Sequence, residues 1–402
     1  MKPNIVFITT DTQGQNMVSA YGKNPAARTP SIDRLAEEGV LFENSYCSTP
    51  VCTPARSTWY TGLPPNRNGA MTNDIALFRH IPMLAELLGV SGYDCYHLGK
   101  WHLDAGSYAG RGFSQAGFNK AVWYDQINFI EDVGKEGINR FGGWNKGLDD
   151  PEYCFAHRTA DRAIDVMKSR NRSQPLYLAV DFDEPHGPYI CPPPFRGRNH
   201  QEDLPVPETF RMEMGAKPQV QKDHSEYLAA RRPTPDTYPR YYHKYYDCNE
   251  FVDSEIGRVV EAAVEQLGEN TVFIYTSDHG DHLGHFGLQP KGPTMYEATT
   301  AVPLIISGAG IDRGVRSQAL VSSHDIWATV LEIAEAHTSD IQSLKDPAYW
   351  GRSLRPALSG GDTEVHKAVF IEYNRFGIGT DGAGEFFPIR CVRSGDWKLS
   401  VN

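Results

Sequence analysis

The run Cys52-Thr53-Pro54-Ala55-Arg56-Ser57 carries the strongest chemical signal in this chain. A lone buried cysteine is ordinarily inert packing. Here an arginine follows four positions later, where it can return to a cysteine seated at the mouth of a helix, a setting that favours anionic chemistry. A second group consists of Asp11 and the pair Asp278-His279, each placed directly after a strand-like apolar run. Carboxylates and an imidazole at strand ends far apart in sequence can converge on one cation. Oxygen-rich ligation with a single nitrogen suits a hard divalent ion, calcium ahead of magnesium or manganese. Lys100 and His102 stand two residues apart in Gly99-Lys100-Trp101-His102, so an extended backbone aims both at one pocket. His186, in Pro185-His186-Gly187-Pro188, sits on a backbone restricted by proline, and Lys291 lies in Pro290-Lys291-Gly292-Pro293. Taken singly, each of these has a bland reading as a solvated lysine or a satisfied histidine. Together they are the groups that transfer of an oxyanion needs.

These residues require a scaffold that gathers strand ends. Residues 4–10 read as a buried strand ending at Asp11, and comparable runs cover 93–98 ahead of Lys100, 176–180 ahead of Asp181, and 271–276 ahead of Asp278. Strands rich in Val, Ile and Phe, with helical spacing between them at 155–168 and 242–267, predict an α/β fold with a large, mostly parallel sheet flanked by helices. In such a sheet the chemistry lies beyond the carboxyl ends of the strands, where these polar residues fall. The Pro-, Arg- and Tyr-rich stretch from about 185 to 240 reads as loops over a cleft. A strand-like run at 301–306 and a helix near 323–335 follow. The composition then turns more polar, with strand-like runs at 368–373 and 389–399 joined by a glycine-rich loop at 377–384. This division gives a catalytic domain over 1–350 and a small C-terminal α+β lobe over 351–402.

The 402 residues suffice for one large core with a smaller lobe. A formal charge of −11, from 39 Lys plus Arg against 50 Asp plus Glu, disfavours nucleic acid as a partner but leaves a locally cationic cleft open to an anionic small substrate. No run approaches the roughly 20 apolar residues of a membrane span. The seven cysteines are scattered and odd in number, which argues against a disulfide framework and against a CxxC zinc site. The expected compartment is the cytoplasm, or the periplasm if an export signal has been removed. Nothing in the sequence fixes the oligomeric state.

Cys52-Thr53-Pro54-Ala55-Arg56 matches the C-x-P-x-R signature of the type I sulfatases, members of the alkaline-phosphatase-like superfamily. The resemblance continues in order through Asp11, Gly99-Lys100-Trp101-His102, Pro185-His186, Asp278-His279-Gly280, and Lys291 with Met295-Tyr296-Glu297. It implies a two-lobed fold, one divalent metal ion, calcium foremost, and conversion of Cys52 to formylglycine by a transient formylglycine-generating enzyme. Asp11, Asp278, His279 and the position-52 side chain would hold the metal. Arg56 would orient the nucleophile, and Lys100 and Lys291 would contact sulfate. His102 would assist breakdown of the intermediate, and His186 would protonate or position the leaving oxygen. The chain departs from many relatives in having Asp11-Thr12-Gln13 in place of two adjacent aspartates, and His279 in place of an asparagine.

The resemblance implies sulfate ester hydrolysis. Phosphonate monoester or phosphodiester hydrolysis is the alternative within enzymes, and an inactive sulfated-carbohydrate-binding protein is the alternative outside them. The segments Glu372-Tyr373-Asn374-Arg375-Phe376 and Pro388-Ile389-Arg390-Cys391-Val392-Arg393 resemble the terminal part of hexuronate 2-O-sulfatases. The expected substrate is therefore a small sulfated carbohydrate, with uronate 2-O-sulfate in a glycosaminoglycan-derived oligosaccharide as first choice. Arg375, Arg390 or Arg393 could hold a sugar carboxylate bidentately, or could instead pair within the small lobe. His243 and His285 could meet sugar hydroxyls, or serve ordinary loop packing.

Overall fold

The apolar N-terminal run forms β1 (Asn4–Thr10), with Ile5 and Phe7 buried on one face and Val6 and Ile8 on the other, as a central strand covered from both sides must be. The computed structural model describes residues 2–106, 108–141, 149–199, 204–229, 233–336, 347–359, 363–377 and 386–402. Six further strands complete the main sheet: β2 (Gly39–Tyr46), β3 (Asp94–Gly99), β4 (Leu176–Asp181), β5 (Thr271–Ser277), β6 (Leu304–Gly308) and β7 (Val315–Ser322). Their order is β3-β4-β1-β5-β6-β2-β7. Strand β1 runs parallel to β4 and β5, β3 to β4, and β2 to β7, whereas β6 is antiparallel to both β5 and β2. The sheet is therefore mixed through one reversed strand, and the carboxyl ends of β1, β3, β4 and β5 share one edge.

Two helical layers cover it. On the face carrying Ile5, Phe7, Val40 and Phe42 lie the helices Cys52–Thr61, Leu84–Val90 and His324–Ile333, with Trp59 and Tyr60 fully buried beneath. On the face of Val6, Ile8 and Leu41 lie Pro30–Glu37, Phe155–Ser169 and the long Tyr238–Leu267. Each fully buried Leu, Ile or Phe in these layers stabilises the fold by about 1.5–3 kcal/mol relative to exposure. The expected helices at 155–168, 242–267 and 323–335 are present with small shifts at their ends.

Strands β8 (Val369–Tyr373), β9 (Ile389–Ser394) and β10 (Trp397–Val401) form a second, antiparallel sheet in the order β10-β9-β8. The single run expected at 389–399 is broken by a turn at Gly395-Asp396, which lets Trp397 pair back onto Ser394. Val369, Ile371, Tyr373, Ile389 and Cys391 pack against Tyr46, Val51, Met295 and Ala301, fastening this sheet beside the start of the helix Cys52–Thr61. Except for Gly377, the glycine-rich loop at 377–384 lies outside the described residues.

Two glycines bring backbones close enough to assemble the sheet edge. Gly99 ends β3 with φ +105°, and a side chain there would stand 2.0 Å from the Asp181 carbonyl. That close approach, sealed by Lys100 N–H donating to Asp181 O at 2.7 Å, turns Lys100 inward. At Gly280 a Cβ would lie 1.9 Å from the Ala298 carbonyl, which fixes the turn that carries Asp278 and His279.

Candidate active site

Cys52 opens the helix Cys52–Thr61 and is buried. Its Sγ accepts from Lys291 Nζ at 2.9 Å and lies 3.3 Å from His279 Nε2 and 3.8 Å from Asp11 Oδ1. One turn on, Arg56 reaches back as the spacing implied. Its Nε donates to Asp278 Oδ2 and one terminal nitrogen to Asp11 Oδ2, both at 3.2 Å, while the other donates to the Lys100 carbonyl at 3.0 Å. Lys100 Nζ lies 2.7 Å from Asp11 Oδ2 and 3.0 Å from Asp183 Oδ1. Asp11, Arg56, Lys100, Asp278, His279 and Lys291 are all buried, so their charges act through little solvent.

Ligand atoms of Asp11, Cys52, Asp278 and His279 lie within 4.8 Å of one another. His279 Nδ1 stands 2.9 Å from the Gly280 carbonyl, which places the ring proton there and turns the Nε2 lone pair toward the cluster. Two carboxylates and an inward imidazole, held by a structured surround, fit a divalent cation. Thr12 stands next to Asp11 where many relatives have a second aspartate, and it contacts both carboxylates. Its hydroxyl donates to Asp11 Oδ1 at 2.6 Å and its N–H to Asp278 Oδ1 at 3.0 Å, so it orients both carboxylates. Gln13 is turned away, its amide donating to Asn249 Oδ1 at 2.6 Å.

Burial opposes charge on Asp11, but Lys100, His186, Lys291 and Arg56 outweigh it and hold the carboxyl well below its usual value. Burial and the Asp11 charge together push Asp278 up to about 7. The Cys52 thiol is raised by burial and by Asp11, yet Lys291, Lys100 and His279 more than compensate, so it falls well below an ordinary thiol. A nucleophile or its precursor at position 52 therefore faces a strongly cationic field.

His102 and His186 flank this centre in different states. His102 Nε2 lies 3.0 Å from Asp74 Oδ1; burial lowers its pKa, but Asp74 and Cys52 raise it above the ordinary value overall. His186 is lowered by burial and by Lys100, and its Nδ1 lies 2.8 Å from the Gly187 carbonyl. The neutral ring can position a leaving oxygen, and the arrival of an anionic ester favours the proton it needs to act as an acid. Tyr108 lies between the two rings, with centroids 5.3 Å from His102 and 5.0 Å from His186. Its hydroxyl donates to Asp183, and its ring lies 3.8 Å from Lys100 Nζ.

The remaining candidates have partners elsewhere. His243 Nδ1 bonds to the Arg240 carbonyl and His285 Nδ1 to Thr209 Oγ1. Arg390 donates to the Tyr373 and Ile389 carbonyls and to Asn374 Oδ1, and Arg393 Nε donates to Tyr46 Oη. Both arginines thus brace the small sheet. Arg375 precedes Phe376, whose ring is 5.6 Å from Lys291 Nζ.

Asp74, Tyr108, Asp183 and Asn73 join the site without having been singled out from sequence. Asn73 Oδ1 accepts from Thr53 N–H at 3.0 Å, capping the helix behind Cys52. Asp181, the polar residue expected at the end of β4, is instead a structural hub, accepting from His97 Nε2 at 2.9 Å and from the hydroxyls of Tyr60 and Thr9. Asp183, two residues later, is the carboxylate that meets Lys100.

Comparison with known proteins agrees with this geometry. Residues 3–336 match the family model described as Sulfatase. The chain is 33% identical over 421 aligned residues to an uncharacterized sulfatase, YidJ, of Escherichia coli strain K12, covering 100% of this chain and 79% of that protein. It is 27% identical to a Delta 4,5-hexuronate-2-O-sulfatase of Bacteroides thetaiotaomicron, covering 93% of this chain and 75% of the other. Its fold is similar to the crystal structure of a phosphonate monoester hydrolase of Agrobacterium radiobacter, with a TM-score of 0.81 at 21% identity, over 100% of this chain and 87% of that one.

Proposed function

Because the chain belongs to the sulfatase family it is a sulfuric ester hydrolase, and we propose that the ester it cleaves is carried by a sugar, first of all the 2-sulfate of a uronic acid in a glycosaminoglycan-derived oligosaccharide. The observation that carries the chemistry is the set of three buried cations, Arg56, Lys100 and Lys291, closing on Cys52 at the shared edge of β1, β3 and β5. Lys100 and Lys291 bind the sulfate oxygens and favour the charge that builds as the S–O bond breaks. Arg56 keeps Asp11 and Asp278 fixed. Those two carboxylates, with His279 and the position-52 side chain, would hold the cation, calcium foremost, which when bound polarises a sulfate oxygen. Formylglycine at position 52, made by a maturation enzyme, would supply as its hydrate two hydroxyls on one carbon where the thiol offers a single atom. His102 then removes a proton at position 52, and His186 serves the leaving oxygen.

One observation supports the sugar reading: a relative is named for a hexuronate 2-O-sulfate. A panel of disaccharides sulfated at uronate O2, glucosamine N or O6, and galactosamine O4 or O6 tests it directly. Selective release from uronate O2 supports the proposal, and exclusive release from N, O4 or O6 rejects the substrate. Matched aryl sulfate and aryl phosphonate esters test the reaction class, with phosphonate preference at every pH as the contrary result. Peptide mass analysis at position 52 shows whether the thiol has been converted to the aldehyde.

A further inference from the structure

Behind His102 lies a carboxylate with no role in the reaction so far. Asp74 Oδ1 stands 3.0 Å from His102 Nε2. The other ring nitrogen, Nδ1, is buried, and Cys52 and Lys100 are polar groups close enough to act on the ring. A carboxylate only accepts, so the proton sits on Nε2, which leaves Nδ1 as the ring's proton acceptor.

The backbone is arranged to hold this contact. Asp74 has φ +64° and His102 φ +59°, left-handed values that a residue with a side chain adopts at a cost of about 1–3 kcal/mol. Both ends are pinned by neighbours. Asn73 Oδ1 accepts from Thr53 N–H at 3.0 Å, and Asn73 N–H donates to the Phe376 carbonyl at 3.2 Å. Thr53 Oγ1 donates to the His102 carbonyl at 2.8 Å. The residue after Cys52 therefore grips the backbone of both the loop bearing Asp74 and the loop bearing His102, and the Nε2 contact to Asp74 is what holds the ring itself.

We infer that Asp74 is a positioning residue, fixing the tautomer and direction of His102 so that Nδ1 accepts a proton from position 52. This rests on the sulfate ester reading above for the step His102 serves. Asp74 touches no reacting atom itself. Its near-isosteric amide is the informative replacement, because Asp74→Asn preserves size and hydrogen bonding but can donate to Nε2 and drive the ring proton onto Nδ1, the wrong nitrogen. A role limited to holding the loop tolerates this change.

The test uses matured protein labelled with ¹⁵N-histidine, its His102 signals assigned by their loss in His102→Gln. The ring nitrogens of wild type, Asp74→Asn and Asp74→Ala are recorded, and kcat and KM for an aryl sulfate are measured on the same samples. The expected result is a protonated Nε2 in wild type and a shift of the proton toward Nδ1 in Asp74→Asn. Both variants should lose about 10- to 100-fold in kcat, with KM nearly unchanged. Wild-type kcat in Asp74→Asn, or a kcat loss with the His102 signals unmoved, overturns the inference. Wild-type protein that cleaves phosphonates but no sulfate ester overturns the reaction class instead, and in that event the ring signals still decide whether Asp74 sets the tautomer.

Discussion

Lys291 donates to both the Cys52 thiol and the His279 imidazole, so it serves the attacking position and the cation site at once. Lys291→Ala is expected to lower kcat/KM on an aryl sulfate by about 10²–10³-fold, the usual loss for one donor to a developing oxyanion. A fall smaller than tenfold would remove it from the sulfate pocket. The carboxylates should rank by geometry. Asp278 is a candidate ligand and accepts from Arg56, whereas Thr12 only orients its neighbours, so Asp278→Ala should weaken calcium binding far more than Thr12→Ala in isothermal titration. At this scale the sequence was informative wherever a residue type is rare in its setting. Cys52, Arg56, Lys100 and Asp278-His279 converge as their motif implies. Asp74, Asp183 and Tyr108 were not legible, because a carboxylate or a tyrosine in an irregular loop has no local pattern to separate a site residue from a solvated one.

Helix ends in this fold are often finished by side chains from distant segments. Asp253, in the helix Tyr238–Leu267, accepts from the Ser31 and Ile32 N–H groups at 3.0 and 2.9 Å and so caps Pro30–Glu37, whose own Thr29 makes no capping bond. Asp253→Ala should cost about 1–3 kcal/mol in urea unfolding, because the buried Ile32 N–H and the half-buried Ser31 N–H lose their acceptor. Glu184 plays a similar part for Phe155–Ser169, accepting from Ala156 N–H at 3.0 Å, and burial followed by the nearby Asp183 charge pushes it up to about 8. Its folded pKa thus exceeds its unfolded value near 4.5, so the stability it contributes is complete below that pH and is lost as pH rises through about 8. Comparing urea midpoints at pH 6 and pH 9, wild type should lose more than Glu184→Gln; equal losses would count against the assignment. Strands β1, β4 and β5 were legible as largely apolar runs and β3 as a run interrupted by Asp94 and His97, whereas β2 and β7 were not. The second half of β2 is Glu43-Asn44-Ser45-Tyr46, and β7 is an edge strand with exposed Arg316 and Gln318. The reversed direction of β6 is set by its neighbours, and no residue within it records that.

Across the whole molecule, the candidate cation site joins elements remote in sequence: the ends of β1 and β5 and the start of the helix Cys52–Thr61. Chelation should therefore abolish turnover and also lower the calorimetric midpoint, with calcium restoring both, since a ligand that binds only the folded state stabilises it by mass action. A midpoint insensitive to chelator and to calcium would argue that no cation links these elements. The small C-terminal sheet reaches the same centre by another route, since Glu372 N–H donates to the Ser48 carbonyl and Phe376 is tied to Asn73. Among the described residues no helix is long and apolar enough to cross a membrane.

The burial of Cys52 sets a deadline. With 1% of its surface exposed, in the first turn of a helix roofed by Lys291 and His279, the thiol is out of reach of any second protein once the chain has closed. Whatever chemistry alters this residue must act while residues 50–60 are still extended, during synthesis or before the helix docks on β1. If a second protein modifies position 52, competence is decided by a race between modification and folding. A formylglycine-generating enzyme added to folded, unmodified protein should convert no Cys52, whereas the same enzyme offered a peptide spanning residues 50–60 should convert it.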